Sequence, residues 1–249
     1  MSAIYTLWLR QVKRYFRTRA RVIASLGQPL MFLLALGFGF GPIFQKAGQG
    51  NYIQFLAPGV ISMGILFTAV FVSGIELIYD RQFGFLKELL VAPVPRILIM
   101  AGRTLGGATV ALLQGLIVGA ICLLAGFRVT SLAGVPIGLL FMALVAVLFT
   151  ALGTVVASVL SDFQALQVIM NLLVMPIFFL SGALFPLSNL PKALEIATKL
   201  DPLAYGVDGL RWALIGMGHF SIAVDAAVLS TVDAVLLALG SYLFSRIQL

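Results

Sequence analysis

The feature that most constrains the fold is a series of long apolar runs separated by short polar stretches. The six runs lie at roughly 22–44, 54–78, 104–126, 134–160, 164–186 and 222–244. A helix of about 20 apolar residues crosses the hydrocarbon core of a bilayer. Only 10% of the residues are charged, against about 25% in soluble domains. The sequence therefore predicts an all-α polytopic membrane protein with six transmembrane helices.

The net charge of +7 would suggest a nucleic-acid partner in a soluble protein, but its distribution along this chain suggests membrane topology instead. Six spans place both termini on one side, and eleven of the 16 Lys and Arg residues fall on that side. Cytoplasmic loops carry such an excess. We therefore expect a multi-pass protein of the plasma (cytoplasmic) membrane, with both termini in the cytoplasm and no nucleic-acid partner.

Residues 1–21 carry a helical pattern of their own. At 100° per residue, one side carries Ile4, Trp8, Val12, Tyr15 and Phe16. The opposite side carries Arg10, Lys13, Arg14, Arg17 and Arg21. This segregation predicts a basic amphipathic helix that binds membrane lipids at the surface. The alternative is an ordinary positive flank before the first span.

The loop 79–103 interrupts the apolar pattern with a charged, helical segment. Burying Asp80, Arg81, Lys87 and Glu88 in the bilayer centre would cost on the order of 10 kcal/mol, so the segment lies outside the core. Its helical spacing of apolar residues involves Phe83, Leu86, Leu89 and Leu90. Pro93 and Pro95 end the pattern. An exposed helix with an apolar stripe predicts docking on another protein; a solvated connector is the alternative.

A second polar region, 187–219, precedes the last span and contains two short helical patterns. The first follows Pro191, and the second starts at Asp201-Pro202, which reads as an N-cap followed by proline at the first helical position. At about 10–13 residues each, neither helix can cross a bilayer. We expect two external re-entrant or interfacial helices. No linker divides the chain, so 1–249 is predicted to be a single domain.

Several stretches together resemble the membrane (permease) subunit of ABC-2-type ABC exporters, which include drug-resistance, nodulation-factor and lipid-linked glycan export permeases. They are FLAPGVISMG, DRQFGFLKELLVAPVPR, GRTLGG and LSGALFPLSNLP…LDPLAYGVDGLRWALIG. The resemblance implies that the loop between spans two and three couples to an ATP-binding cassette ATPase subunit. The coupling residues it implies, with their charged and proline neighbours, are Asp80, Arg81, Gly84, Leu86, Lys87, Glu88, Leu89, Leu90, Pro93, Pro95 and Arg96.

The chain has no motif that would bind a nucleotide. A phosphate-binding loop requires G-x-x-x-x-G-K-[ST], and no lysine follows a glycine anywhere in this sequence. The resemblance therefore implies that the chain is not an enzyme by itself, that ATP and Mg²⁺ act through the partner ATPase, and that a second copy or a related permease completes the pathway. The wide apolar inventory, with 19 Phe and 8 Met, favours an amphipathic or lipid-like cargo over a small ion, and the resemblance implies that the cargo is exported.

Polar residues within the spans are candidates for a pathway or gate, because an ionisable group in a membrane helix is costly. The candidates are Glu76, Asn171 and Asp233. Asp233 leaves open a proton-coupled secondary transporter, and the charged loop leaves open a non-transporting scaffold that recruits a soluble partner. His219 stands alone, so no metal site is predicted.

Overall fold

A computed structural model describes residues 3–46, 51–91, 94–160, 162–187 and 191–245. The chain is 87% helical with no strands in the described parts. The α-helices are α1 (Ala3–Arg17), α2 (Arg19–Lys46), α3 (Tyr52–Gln82), α4 (Phe85–Val91), α5 (Arg96–Leu124), α6 (Val135–Val159), α7 (Phe163–Leu180), α8 (Lys192–Leu200), α9 (Pro202–Ile215) and α10 (Ile222–Ser245). A short 3₁₀ turn, Leu132–Gly134, precedes α6.

Six helices are long and apolar enough to span a membrane, which confirms the predicted fold class. These are α2, α3, α5, α6 with its preceding turn, α7 and α10. Contacts between their ends show that α5 and α7 both run antiparallel to α3. At one end of the bundle Tyr79 stacks on Phe163, and at the other end Gln54 bonds the backbone of Gly126 and Arg128.

Helix α3 lies at the centre of the bundle. In its most apolar window 83% of the residues are buried, against 17% for both α2 and α10 and 22% for α7. α3 contacts α2, α5, α6, α7 and α9. The outer faces of α2, α7 and α10 are therefore the apolar surface that this chain leaves for lipid or for another chain.

The segment 79–103 contains less irregular chain than its sequence suggested. α3 continues to Gln82 and α5 already begins at Arg96, so only the short helix α4 and its two connections lie between them. The helices extend beyond the apolar pattern. Charged residues at the end of α3 and near the start of α5 have partners within the bundle and so lie inside helices. Pro93 lies outside the described residues.

The two short helices predicted before the last span are confirmed as α8 and α9. Asp201 caps α9 through a hydrogen bond from the Leu203 backbone N–H to its Oδ1, 2.9 Å long, and Pro202 occupies the first helical position. α9 ends at Gly216, whose φ of +72° favours glycine. α9 packs against α3, α6, α7 and α10, so it inserts among the spans. α7 is shorter than predicted because the chain turns at Gly182, φ +71°.

Candidate functional site

A single carboxylate on the last turn of α3, that of Asp80, joins three helices. Its Oδ1 accepts a 2.5 Å hydrogen bond from Arg10 of α1, and its Oδ2 accepts one of the same length from Arg103 of α5. Arg14 of α1 lies 3.8 Å from Oδ1. Asp80 and Arg103 are each 4% exposed. We call Arg10, Arg14, Asp80 and Arg103 the Asp80 cluster.

A second polar contact lies one turn earlier on α3. The side-chain amide of Gln11 donates to Oε2 of Glu76 over 2.7 Å, and both side chains are buried. Glu76 and Asp80 are four residues apart and so share one face of α3. That face is turned towards α1, which meets it with an amide and two guanidinium groups.

Helix α1 lies along α5 and is held there by further hydrogen bonds. The Trp8 indole N–H donates to Thr109 Oγ1 over 3.0 Å, and the Tyr15 hydroxyl donates to Gln114 Oε1 over 2.5 Å. Close approach of the two helices depends on small residues of α5. A Cβ added at Gly106 would overlap the Gln11 side chain. The motif GRTLGG thus contributes both Arg103 and Gly106, whose missing side chain lets α1 pack closely against α5.

The buried face of α1 differs from the predicted apolar side. Leu7, Gln11 and Tyr15, each four residues apart, form the face that is buried against the bundle, whereas Phe16 is 51% exposed. Of the predicted basic side, Arg10 and Arg14 turn to Asp80, while Lys13 and Arg17 are exposed. The side chain of Arg21 lies outside the described residues. A role for α1 at the membrane surface stays a prediction.

Helix α4 is attached to this cluster by its first residue. The guanidinium carbon of Arg10 lies 3.7 Å from the centre of the Phe85 ring, a cation–π contact. Gly84, with φ +78°, makes the turn from α3 into α4. Leu86 is 1% exposed and packs into the core, and Leu89 packs against it. Arg10 therefore contacts both α3 and α4.

The predicted coupling residues fall into two groups. Asp80, Arg81, Leu86 and Leu89 face inward; Arg81 donates to the carbonyls of Ser158 and Leu160, and so holds the end of α6. Those exposed at the surface are Lys87, Glu88, Pro95 and Arg96. The side chain of Leu90 lies outside the described residues. The coupling role of all of these residues stays a prediction.

The three pathway candidates are not brought together. Asn171 lines a groove of about 400 Å³ between α2, α3 and α7. Glu76 is bonded to Gln11 on the α1 side of α3. Asp233 is 6% exposed on α10, which packs against α5, α6 and α9.

Sequence reasoning missed Gln11 and did not distinguish Arg103 from the other charges of the loop. The available signal for Gln11 was its place midway between Leu7 and Tyr15 on a four-residue spacing. For Arg103 the signal was its position inside a glycine-rich motif.

The fold and this cluster define a helical multi-pass membrane protein whose first helix is bound to the ends of two spans. Comparison with known proteins identifies the family: the ABC-2 type transporter family matches residues 2–215. The chain belongs to this family and is a transmembrane transport permease.

Individual relatives match this chain over most of their length. A putative transport permease, ycf38, of Cyanophora paradoxa is 30% identical over 212 residues, covering 81% of this chain and 71% of the relative. The inner membrane transport permease YadH of Escherichia coli K12 is 26% identical over 230 residues, covering 91% and 88%. Nodulation protein J of Rhizobium leguminosarum bv. trifolii is 29% identical over 205 residues, covering 79% and 75%.

Proposed function

We propose that this chain is the transmembrane subunit of an ATP-driven exporter, and that a separate ATP-binding cassette subunit binds it at α4. The observation that carries the proposal is the position of Arg10, which contacts Asp80 on α3 and Phe85 on α4. Through Asp80 and Arg103 the same cluster reaches α5. A displacement of α4 by the ATPase would thus be transmitted to two spans and to α1. ATP and Mg²⁺ would bind to the partner, on the cytoplasmic side.

The surface offered to that partner is the outward side of α4 and the turn before it. Phe83 is 81% exposed and Val91 is 78% exposed, with Lys87 and Glu88 between them. Large exposed apolar side chains flanked by charges are typical of a protein contact. Leu86 is buried against this chain, and its role is to fix α4 on the bundle.

The groove between α2, α3 and α7 is the proposed route of the cargo. It is lined by aromatic side chains such as Phe67 and Phe71 together with the polar side chains of Gln28, Thr68 and Asn171. This mixture suits an amphipathic or lipid-like molecule, such as a drug, a lipid or a glycolipid. Few residues of α2 and α7 are buried within this chain, so a second copy, or a related permease, would close the groove. We propose export from the cytoplasm or the inner leaflet, because the sequence resembles ABC-2-type exporters.

The rival functions receive less support. A proton carrier needs a carboxyl group that both sides of the membrane reach in turn, and Asp233 does not line the groove between α2, α3 and α7. A scaffold that does not transport would not need the groove between α2, α3 and α7, in which the polar side chains of Gln28, Thr68 and Asn171 lie within the membrane spans.

The test of the proposal is the binding of the ATPase to the surface of α4. Phe83→Glu should reduce co-purification of the ATP-binding cassette subunit at least tenfold, because it places a charge in a desolvated contact. Leu132→Glu is the matched control, since Leu132 is 85% exposed and precedes α6 at the other end of the bundle. Equal recovery of the ATPase with both variants would refute the docking surface. Transport by the purified chain without an ATPase would refute the proposed function.

A further inference from the structure

At the end of the bundle opposite the Asp80 cluster, a cavity of about 660 Å³ opens beside α9. We call it the α9 cavity. Its walls come from the end of α2, the start of α3, the connection between α5 and α6, and the end of α9. Apolar side chains, including Phe44, Phe55 and Ile215, form much of the lining, and Gln54, Arg128 and Arg211 contribute polar groups. The volume is typical of cavities that bind small molecules.

The guanidinium of Arg211 differs from the other polar groups of this cavity because it is a buried cation that, within the described part of the chain, lies outside any ion pair. The residue is only 5% exposed. It donates to the backbone carbonyls of Gly182, at 3.0 Å, and Phe55, at 3.4 Å, and its guanidinium carbon lies 3.9 Å from the centre of the Phe55 ring. Its Nε–H is buried without a partner. None of the four ion pairs found between described residues includes Arg211.

The charges around the cavity do not balance. Arg128 and Arg211 line it, and Asp208 supplies one carboxylate. Both oxygens of that carboxylate accept hydrogen bonds from backbone N–H groups, those of His219 and Phe220, at 2.8 Å. Asp208 offsets part of the charge of Arg211, one turn further along α9. Among the side chains that line the cavity, two arginines therefore face one carboxylate, which leaves one positive charge in a site with largely apolar walls.

We propose that the α9 cavity is a binding site for a phosphate-bearing anion, with Arg211 at its buried wall and Arg128 at its exposed rim. A buried cation without a paired anion is costly, and an anion entering the cavity would compensate it. Arginine suits this task, because its planar fork of N–H groups matches phosphate oxygens. The apolar lining beside the arginines suits the acyl part of a lipid. Free phosphate and a lipid headgroup share this chemistry, and the site does not depend on the proposed function.

The test compares ligands on the purified full-length chain in an uncharged detergent, with thermal unfolding as the readout. Dihexanoyl phosphatidylglycerol should stabilise the protein, and dihexanoyl phosphatidylcholine should not. Arg128→Gln should weaken the apparent affinity for phosphatidylglycerol about tenfold. The side chain of Arg128 is exposed, so this change leaves the packing intact. Lys192→Gln is the control, because it removes the same charge from an exposed position that does not line the cavity.

The ligand comparison also separates the sources of the anion. If inorganic phosphate stabilises the protein as well as phosphatidylglycerol does, the site takes the free anion; if phosphatidylglycerol binds much more tightly, the site takes a lipid headgroup. Equal responses to the two lipids, or equal affinities in the Arg128 and Lys192 variants, would overturn the proposal. Binding of the ATPase at α4 is measured in a separate experiment. Failure of the anion site would therefore not count against the proposed function, and failure of ATPase binding would not count against the anion site.

Discussion

At the scale of single residues, Asp80 connects three helices of this structure. Its two oxygens each bind an arginine from a different helix, and Arg103 is buried with one terminal nitrogen that has no partner. The carboxylate is therefore the counter-charge that allows Arg103 to be buried. Without it, two cations from α1 and one from α5 would face each other.

We expect Asp80→Asn to destabilise the protein by about 3 kcal/mol, because removing one partner of a buried ion pair leaves the other charge uncompensated. Reversible unfolding in mixed micelles measures the change. Asp162→Asn is the matched control: Asp162 is an exposed N-cap of α7, and asparagine caps a helix about as well. Similar losses of stability in the two variants would contradict the importance of the cluster.

Asp201 gives a prediction about pH. Burial raises the pKa of its carboxyl to about 8, while an unfolded chain has an Asp pKa of about 3.9. The folded protein thus binds the extra proton between these values, and its stability falls as the pH rises from 4 to 8. Asp201→Asn keeps the N-cap without the charge. Its melting temperature should therefore decline less than that of the wild type between pH 5 and pH 9, and parallel curves would disprove the assignment.

At the scale of helices, the sequence specified the spans and the short helices better than it specified their contacts. Asp201-Pro202 predicted the start of α9, and the leucine spacing predicted α4, because caps and periodicity are local signals. The buried face of α1 was not predictable in this way. The polar character of Gln11 gives by itself no sign that its side chain is buried. Its hydrogen-bond partner, Glu76, lies sixty-five positions later in the chain. For the same reason the helices extend further into 79–103 than the apolar pattern indicated: Asp80 and Arg103 are charged but internal.

The packing of α1 against α5 can be tested by replacing Gly106 of α5. Gly106→Ala should displace α1, because the added Cβ would overlap the Gln11 side chain. Trypsin should then cleave faster at Lys13 and Arg17. Gly119→Ala is the control on the same helix, where the nearest atom to an added Cβ is 3.6 Å away. Cleavage at equal rates in the two variants would show that α1 does not depend on this contact.

At the scale of the whole molecule, the burial of the spans is uneven. α3 is enclosed, whereas few residues of α2 and α7, which line the groove together with α3, are buried. In a transporter this asymmetry fits a pathway shared between two chains. α10 is equally exposed but carries no part of that groove, so lipid is the expected neighbour of its outer face.

This arrangement predicts which helix meets a second copy. Leu172→Cys, at a position 74% exposed on α7, should give a disulfide-linked dimer when membranes are oxidised. Val235→Cys, 59% exposed on α10, should not. The native Cys122 is buried and will not interfere. Cross-linking at Val235 but not at Leu172 would place the second copy on the opposite face.

The bonds of α1 also set an order of events during biogenesis. Its partners, Glu76, Asp80, Arg103 and Gln114, all follow it in the chain, so the ribosome releases α1 before any of them exists. Helix α1 can therefore complete its hydrogen bonds only after α5, which supplies Gln114, has been inserted. Until then Asp80 can pair only with the arginines of α1.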